Sequence, residues 1–579
     1  MKSKMLSRFS ALFLAGAMTL GLSACGNGAG STPPAGGTSA NASSAESDEL
    51  LGSSSATIRL KVGTTTAPDG HYVLGLIEMQ KLLEEYSGGE MTLDIYPNSA
   101  LGNESDMMNS VSMGMQEMCL VSTGPIPSFA TSTANWSVLD LPYLFEDAEQ
   151  AYEVLDGEVG QTLLDGFNGT GIKALGFWEN GFRQITNNTK EIVTPSDLAG
   201  VKVRTMENPV HMATYTALGA APTAMAWSEI FSALQQGTVD SQENPLAIIY
   251  TARVHEVQKY CSMIDLFYSP CVLMINEDLY NSWTDEQRAA FDKAAEEAKA
   301  AERGISQQMN NDFRASMEQE GITFTDVDKE VWKEAVQGVY EDPSLNIDQD
   351  LLSQILAVTE LDFPIFLSRY KYGHVPILMH RAGGLAGVAA SPPAGPDSPF
   401  DRLDRGECWK RPQEGGTYMK KVLDGFAKIV EVLCVIIMCL MVSVVFLATF
   451  GRYTGMYAIP WSEEFARYCM ISIVYMGLML ASRNGSHFVV EIVPMIFPKP
   501  VVKAVSVVVA LMVDAFAVFL VRYGWMVSSR MLAQGQLSPM LKLPTGMVYM
   551  LIPIGVALMA VYYTVHTFEN LKDKGEDAE

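Results

Sequence analysis

Four side chains in the middle of the chain could do recognition chemistry: the arginines Arg183 and Arg204, the amide of Asn244 and the indole of Trp227. A guanidinium stays charged at every physiological pH, and its planar fork of N–H donors fits both oxygens of a carboxylate, which a lysine ammonium cannot match. Arg204 stands in a strand-like run, residues 202–205, after the turn Thr194-Pro195-Ser196-Asp197. It could equally be a surface arginine at a strand end or a partner for Glu207. Arg183 could be a second cation for a ligand or half of a salt bridge between two lobes. Asn244 could donate to an anion without adding charge, or cap a helix that Pro245 opens. Trp227 could line a pocket or fill a core with its N–H satisfied. Bond-making chemistry has no comparable residues: there is no P-loop, GxSxG, HExxH or cysteine–histidine arrangement, and the seven histidines do not cluster. The expectation is a binding protein, with no enzyme activity, cofactor or metal.

The elements that must position these groups alternate. Residues 57–63 (TIRLKVG) read as a strand, and 71–86 as a helix, with Leu74, Ile77, Leu82 and Leu83 near helical spacing and Ser87-Gly88-Gly89 as its stop. A strand at 91–96, a helix at 105–114 and a strand at 118–121 follow, and a second unit opens at Ile172. Strands alternating with helices imply βαβ units and a mainly parallel sheet. From Thr284 to about Glu320 runs one Ala/Glu/Lys/Gln-rich helix, on the order of 50 Å long at 1.5 Å per residue and able to lie across two lobes. Short strand and helix patterns persist to about Val358.

Both ends have another character. Lys2, Lys4 and Arg8 precede an apolar run at 9–22, too short to span a bilayer and typical of a secretory signal. It ends in Leu22-Ser23-Ala24-Cys25, which resembles a bacterial lipobox, so residues 1–24 read as a lipoprotein signal peptide and Cys25 as the lipidated residue. An ordinary cleavage-site cysteine is the alternative. Residues 25–56, rich in Gly, Ser, Ala, Pro and Thr, read as a flexible tether, residues 57–360 as the folded domain, and 361–418 as an irregular linker without hydrophobic period. From 419 to 579 the composition is membranous, with spans near 429–450, 465–482, 501–521 and 545–567. Residues 488–497, containing Pro494, read as interfacial. Asp514 lies inside a span and should face protein, and Glu463 and Glu464 suit a helix start. The net charge of −26 leaves no basic field for nucleic acid. The eight cysteines have neither metal nor disulfide spacing.

Residues 57–345 resemble the DctP family of TRAP-transporter receptors, through YPNSALG (96–102), VLDLPYLF (138–145), FWENGFRQITN (177–187), KVRTMENP (202–209) and ALGAAPTAMAWSEIFSALQQGTVDSQENP (217–245). The resemblance implies a two-lobed, periplasmic-binding-protein-like α/β domain that closes over its ligand. It assigns Arg204 to the substrate carboxylate, Asn244 to the same carboxylate, Arg183 to a second cationic position and Trp227 to an aromatic pocket wall. Asp106, Thr66 and Thr123 are weaker candidates, placed by motif neighbourhood. Residues 420–570 resemble the DctQ small membrane subunit, through ATFGRY (448–453), PWSEEFARY (460–468) and GLMLASRNGSHFVVEIV (477–493), and so add an all-α four-helix transmembrane domain.

The implied function is capture of a C4-dicarboxylate or related organic acid outside the cell and delivery to a secondary transporter. Its partners would be the acid, membrane lipid and a large DctM-like subunit, and its place the bacterial cytoplasmic membrane. A membrane-anchored sensor of organic acids is the alternative; it needs an output domain, and only a short charged tail follows the last span. Two topological signals conflict. A lipid on Cys25 holds the first domain outside, with no span before residue 429. The lysines and arginines flanking the spans favour a membrane domain that starts inside.

Overall fold

The structure, a computed structural model, describes residues 50–359, 418–454, 461–483, 499–538 and 541–572. The signal segment, Cys25, nearly all of the tether and of the 361–418 linker, and residues 488–497 lie outside these.

Two mixed sheets make two lobes. In the first, β2 (Met91–Tyr96), β1 (Ile58–Thr64), β3 (Met118–Ser122), β10 (Tyr268–Asn276) and β4 (Ile172–Phe182) lie side by side. In the second the order is β11 (Thr323–Asp326), β9 (Tyr260–Met263), β5 (Gln184–Asn187), β8 (Ser241–Asn244), β6 (Lys202–Thr205) and β7 (Ala221–Ala224). The expected parallel pairs are present: β1 with β2 and β3, β6 with β7 and β8, and β9 with β11. The sheets are mixed because β10 and β5 enter from the opposite lobe and run antiparallel to both neighbours.

Folding begins earlier than the expected boundary at Thr57. Leu51 bridges Asp94, the Leu50 carbonyl accepts the Ile95 N–H at 2.8 Å, and Gly52 donates to Leu93 at 3.0 Å. The reason is the free edge of β2, whose backbone needs partners, together with Leu50 packing on the first lobe's core.

The lobes share three connections. Only Arg183 separates β4 from β5, and residues 264–267 join β9 to β10. The Arg183 N–H donates to the Phe267 carbonyl at 2.9 Å and ties the two crossovers together. The third connection is a long helix. Among the helices that bear on the site are α1 (His71–Tyr86), α2 (Glu104–Ser112), α3 (Pro209–Ala217), α4 (Leu246–Thr251) and α5 (Asp285–Gln319). Thr284 and Gln287 form the capping box that starts α5. Its 35 residues reach about 52 Å, packing on α1 in one lobe and accepting the Ala247 N–H of α4 through Asn310, at 2.9 Å, in the other. A Cβ on Gly75 of α1 would stand 2.6 Å from the Glu302 side chain, so glycine permits this close approach.

Buried Glu302 of α5 joins the hinge to the first lobe: Oε1 lies 2.7 Å from His71 Nδ1, and Oε2 accepts the Glu179 N–H of β4 at 2.9 Å. Glu179, also buried, accepts the Tyr152 hydroxyl. Burial pushes its carboxyl up to about 8, Tyr152 opposes this, and the Glu302 charge adds to it.

The C-terminal helices are α6 (Tyr418–Thr454), α7 (Ser462–Arg483), α8 (Lys499–Ala533), the short α9 (Thr545–Tyr549) and α10 (Leu551–Lys572). Four stretches are long and apolar enough to cross a membrane: Ala427–Gly451, Glu464–Arg483, Val505–Ala533 and Thr545–Val565. The third runs on to Ala533, past the expected end near Val521, because Arg522 and Arg530 are single charges in an otherwise apolar helix. Side chains such as Phe446, Leu511, Met512 and Phe516 face outward, as lipid contact requires. Asp514 faces protein: both carboxylate oxygens are reached by the Thr564 hydroxyl of α10, at 3.0 and 2.9 Å.

The raised Glu179 value carries a sign. A carboxyl whose folded-state pKa lies above its unfolded value contributes most below the unfolded pKa, and the contribution is lost as pH rises through the folded one. Glu179→Gln removes that loss. Its melting temperature relative to wild type should therefore climb between about pH 5 and about pH 8. A flat or falling difference in calorimetry would contradict the assignment.

Candidate functional site

A cleft of about 350 Å³ lies between the lobes. Thr65, Thr66, Tyr72, Glu104 and Ser122 line it from the first lobe, and Met206, Arg204, Trp227, Asn244 and Ile248 from the second. Asn180 and Arg183 come from the connecting strands.

Arg204 sits on β6, with β7 and β8 on either side, and is 3% exposed. Its Nε and Nη2 both donate to the Met225 carbonyl, at 2.9 and 2.7 Å, which fixes one edge of the fork. Arg204 lines the cleft, and among the described residues its Nη1 has no hydrogen-bond partner and no carboxylate within ion-pair distance. Glu207, its alternative partner, lies 3.5 Å from Arg467 instead. Burial brings the guanidinium down to about 10, while the charges of Glu243 and Glu104 oppose the shift. The Trp227 ring centroid is 5.6 Å from the guanidinium carbon, so the half-buried indole walls the cation as well as the cleft. A buried, unneutralised guanidinium is costly, and such groups gather at functional sites.

Arg183 differs although it lines the same cleft. Its Nε and Nη2 grip the Glu243 carboxylate, Nη2 at 3.1 Å from Oε1, and Nη2 also donates to the Glu243 carbonyl at 2.7 Å. Its Nη1 lies 3.5 Å from the Ser269 hydroxyl. The salt-bridge alternative is thus realised, between a crossover and the second lobe. Behind it, His211 lies 3.6 Å from Glu243 and 3.4 Å from Asp140, stacked on Phe267 with ring centroids 4.0 Å apart. Burial alone would raise Glu243, but Arg183 and His211 outweigh it and hold the carboxyl at about 2. Burial would likewise lower His211, and the two carboxylates outweigh that and raise it.

Asn244 lines the cleft and donates to Gln242 Oε1 at 2.8 Å. The residue preceding α4 is Pro245 and no side chain caps that helix, so the capping role considered for Asn244 is excluded. Among the described residues the buried hydroxyls of Thr66 and Thr123 find no hydrogen-bond partner; Thr66 lines the cleft and Thr123 does not. Asp106 is not brought into the cleft. It is exposed and closes the capping box of α2 with Asn103, because the helix turns its third residue away from the site.

The acid that does reach the cleft is Glu104, two residues earlier. Its Oε1 accepts the Ser122 N–H at 2.7 Å and its Oε2 the Ser122 hydroxyl at 2.9 Å. Burial raises this carboxyl, and the Ser122 hydrogen bonds and both arginines oppose the rise. Asn180, whose buried side-chain oxygen has no partner among the described residues, is a further lining residue that the sequence does not single out. Its only sequence signal was its place beside Arg183 in ENGFR. The arrangement provides one uncommitted cation and, across from it, hydroxyl-matching groups.

Comparison with known proteins gives two family matches. Residues 62–344 match the bacterial extracellular solute-binding proteins of family 7 (DctP), and residues 441–573 the DctQ component of tripartite ATP-independent periplasmic transporters. A solute-binding protein of Verminephrobacter eiseniae is 39% identical over 271 residues, 47% of this chain and 80% of the relative. The C4-dicarboxylate-binding periplasmic protein DctP of Rhodobacter capsulatus is 30% identical over 309 residues, 52% of this chain and 91% of the relative. Among solved structures, a TRAP periplasmic solute-binding protein from Polaromonas sp. JS666 bound to D-erythronate is 36% identical. The match covers 52% of this chain and 98% of that one, with a TM-score of 0.50.

Removing the partner of Arg183 and removing Arg204 itself should have different effects. Glu243→Ala strands Arg183 and should destabilise the receptor domain by about 3–5 kcal/mol. Arg204→Ala removes an unneutralised cation and should leave ligand-free stability unchanged or raised. Thermal unfolding of the two variants checks the contrast; similar losses would contradict it.

Proposed function

The chain belongs to the family 7 extracellular solute-binding proteins of TRAP transporters and carries a DctQ-type membrane domain, and from that premise we propose that it captures an organic acid outside the cell and delivers it to a secondary transporter whose small membrane subunit it also encodes. The observation that carries the proposal is the buried guanidinium of Arg204, neutralised by no carboxylate among the described residues. The acid enters while the lobes are apart. Its carboxylate meets the Nη1 side of Arg204, Asn244 supplies an amide, and closure about the β4–β5 and β9–β10 crossovers removes water from the pair. Cys25 carries the lipid that holds the receptor at the membrane, and a large DctM-like subunit is the remaining partner.

The charges favour one class of acid. Glu243 is committed to Arg183, with His211 between it and Asp140, while Glu104 lines the cleft as an acid that no ion pair joins to Arg204. One carboxylate on the ligand therefore has Arg204 as its partner. A second would face Glu104 and an arginine already gripped by Glu243. Hydroxyl groups suit the remaining lining, since Glu104 has acceptor positions left and Thr66 and Asn180 are unpartnered. A hydroxylated monocarboxylate fits better than a C4-dicarboxylate, and the Polaromonas relative holds such an acid, D-erythronate.

Arg204→Ala should lower affinity on the order of a hundredfold or more, as for one partner of a desolvated ion pair, and Arg204→Lys should also fail. Calorimetry on the full chain in detergent showing less than about a tenfold loss would remove the proposed role. Wild type should bind D-erythronate more tightly than succinate, and Glu104→Gln should narrow the gap. Tighter succinate binding would overturn the choice of acid while leaving the receptor role intact.

A further inference from the structure

We infer that the receptor and membrane domains work as two polypeptides, the second starting at Met419 inside the cell and meeting the first through a non-covalent interface. The inference rests on the receptor lying outside the cell, as proposed above. The first observation is which end of the membrane domain the receptor touches. Thr131 donates its N–H to the Gln534 carbonyl at 2.9 Å, Gln536 donates to Asn109 at 2.9 Å, and Arg467 lies 3.5 Å from Glu207. Gln534 and Gln536 follow α8, and Arg467 is in the second turn of α7. The start of α7, the end of α8 and the start of α10 therefore share the outer side. Seven residues link α6 to α7, so the C-terminal end of α6 is outside as well. Its 37 residues then carry Tyr418 about 55 Å away, onto the cytoplasmic side, where Lys572 at the end of α10 also lies.

Charge gives the same orientation independently. Ten basic residues flank the side that holds Tyr418, among them Lys420, Lys421, Lys428, Lys499 and Lys572, against five on the receptor side. Positive charge is retained inside. A continuous chain would have to pass from Thr359 outside to Tyr418 inside. Residues 360–417 contain no span: the longest stretch free of charged residues, 382–396, is Gly- and Pro-rich and shorter than the ~20 apolar residues a bilayer requires. The codons for Gln413-Glu414-Gly415 can read CAG-GAG-GGN, which places the purine run AGGAGG of a ribosome-binding site just upstream of Met419.

The natural coding DNA, expressed in a bacterium with a C-terminal tag, tests this. We expect a tagged product little over a quarter of the full length, lost when the Met419 codon is changed to alanine. The tag should be protected from protease added to spheroplasts and cleaved once they are lysed. A single full-length band overturns the two-polypeptide inference, and a tag cleaved from outside overturns the orientation. Neither result depends on ligand binding, so both are separable from failure of the receptor proposal.

Discussion

A guanidinium buried without a counter-charge is the constraint on which the receptor domain depends. Arg204 is held at its strand by two hydrogen bonds to one backbone carbonyl, that of Met225, and by the face of Trp227. These contacts orient the fork but do not neutralise it. In the function proposed above an incoming carboxylate supplies the missing partner, and low-dielectric surroundings strengthen that attraction for anions. The nearby Arg183 shows what neutralisation looks like in the same fold: bidentate pairing, a carboxyl held far below its ordinary range, and a histidine behind it.

The hinge makes such a site usable. A permanently closed cleft would exclude the ligand, and an open one would leave the ion pair hydrated and weak. The proposed closure would act at the two adjoining crossovers, where few residues need to change backbone angle. The long α5 helix packs on both lobes, and its contacts with His71 and the Glu179 amide bury an acidic pair in the first lobe.

Much of this was legible in the residues themselves. Alternating strand and helix patterns gave the α/β class, and the length of the Ala/Glu/Lys-rich helix foretold an element shared by both lobes. Arg204 stood out only through the resemblance to the receptor family; as a strand arginine it could equally have faced solvent or paired with Glu207. Arg183 remained open because its partner, Glu243, lies 60 residues away, a distance that spacing cannot bridge. Asp106 and Glu104 occupy the same helix turn, and only its rotation decides which acid enters the cleft. The mixed sheets escaped the reading because strand direction depends on which lobe each strand enters from. The edge formed by Leu50 and Leu51 was hidden by the small-residue composition before and after it.

The most direct measurement of the central claim compares D-erythronate with erythritol, which has the same carbon chain and lacks the carboxylate. In calorimetry on the intact chain, the unpaired cation of Arg204 predicts measurable binding of erythronate and none of erythritol. Comparable binding of the two would contradict the account, because recognition would then reside in hydroxyl contacts and not in the buried charge.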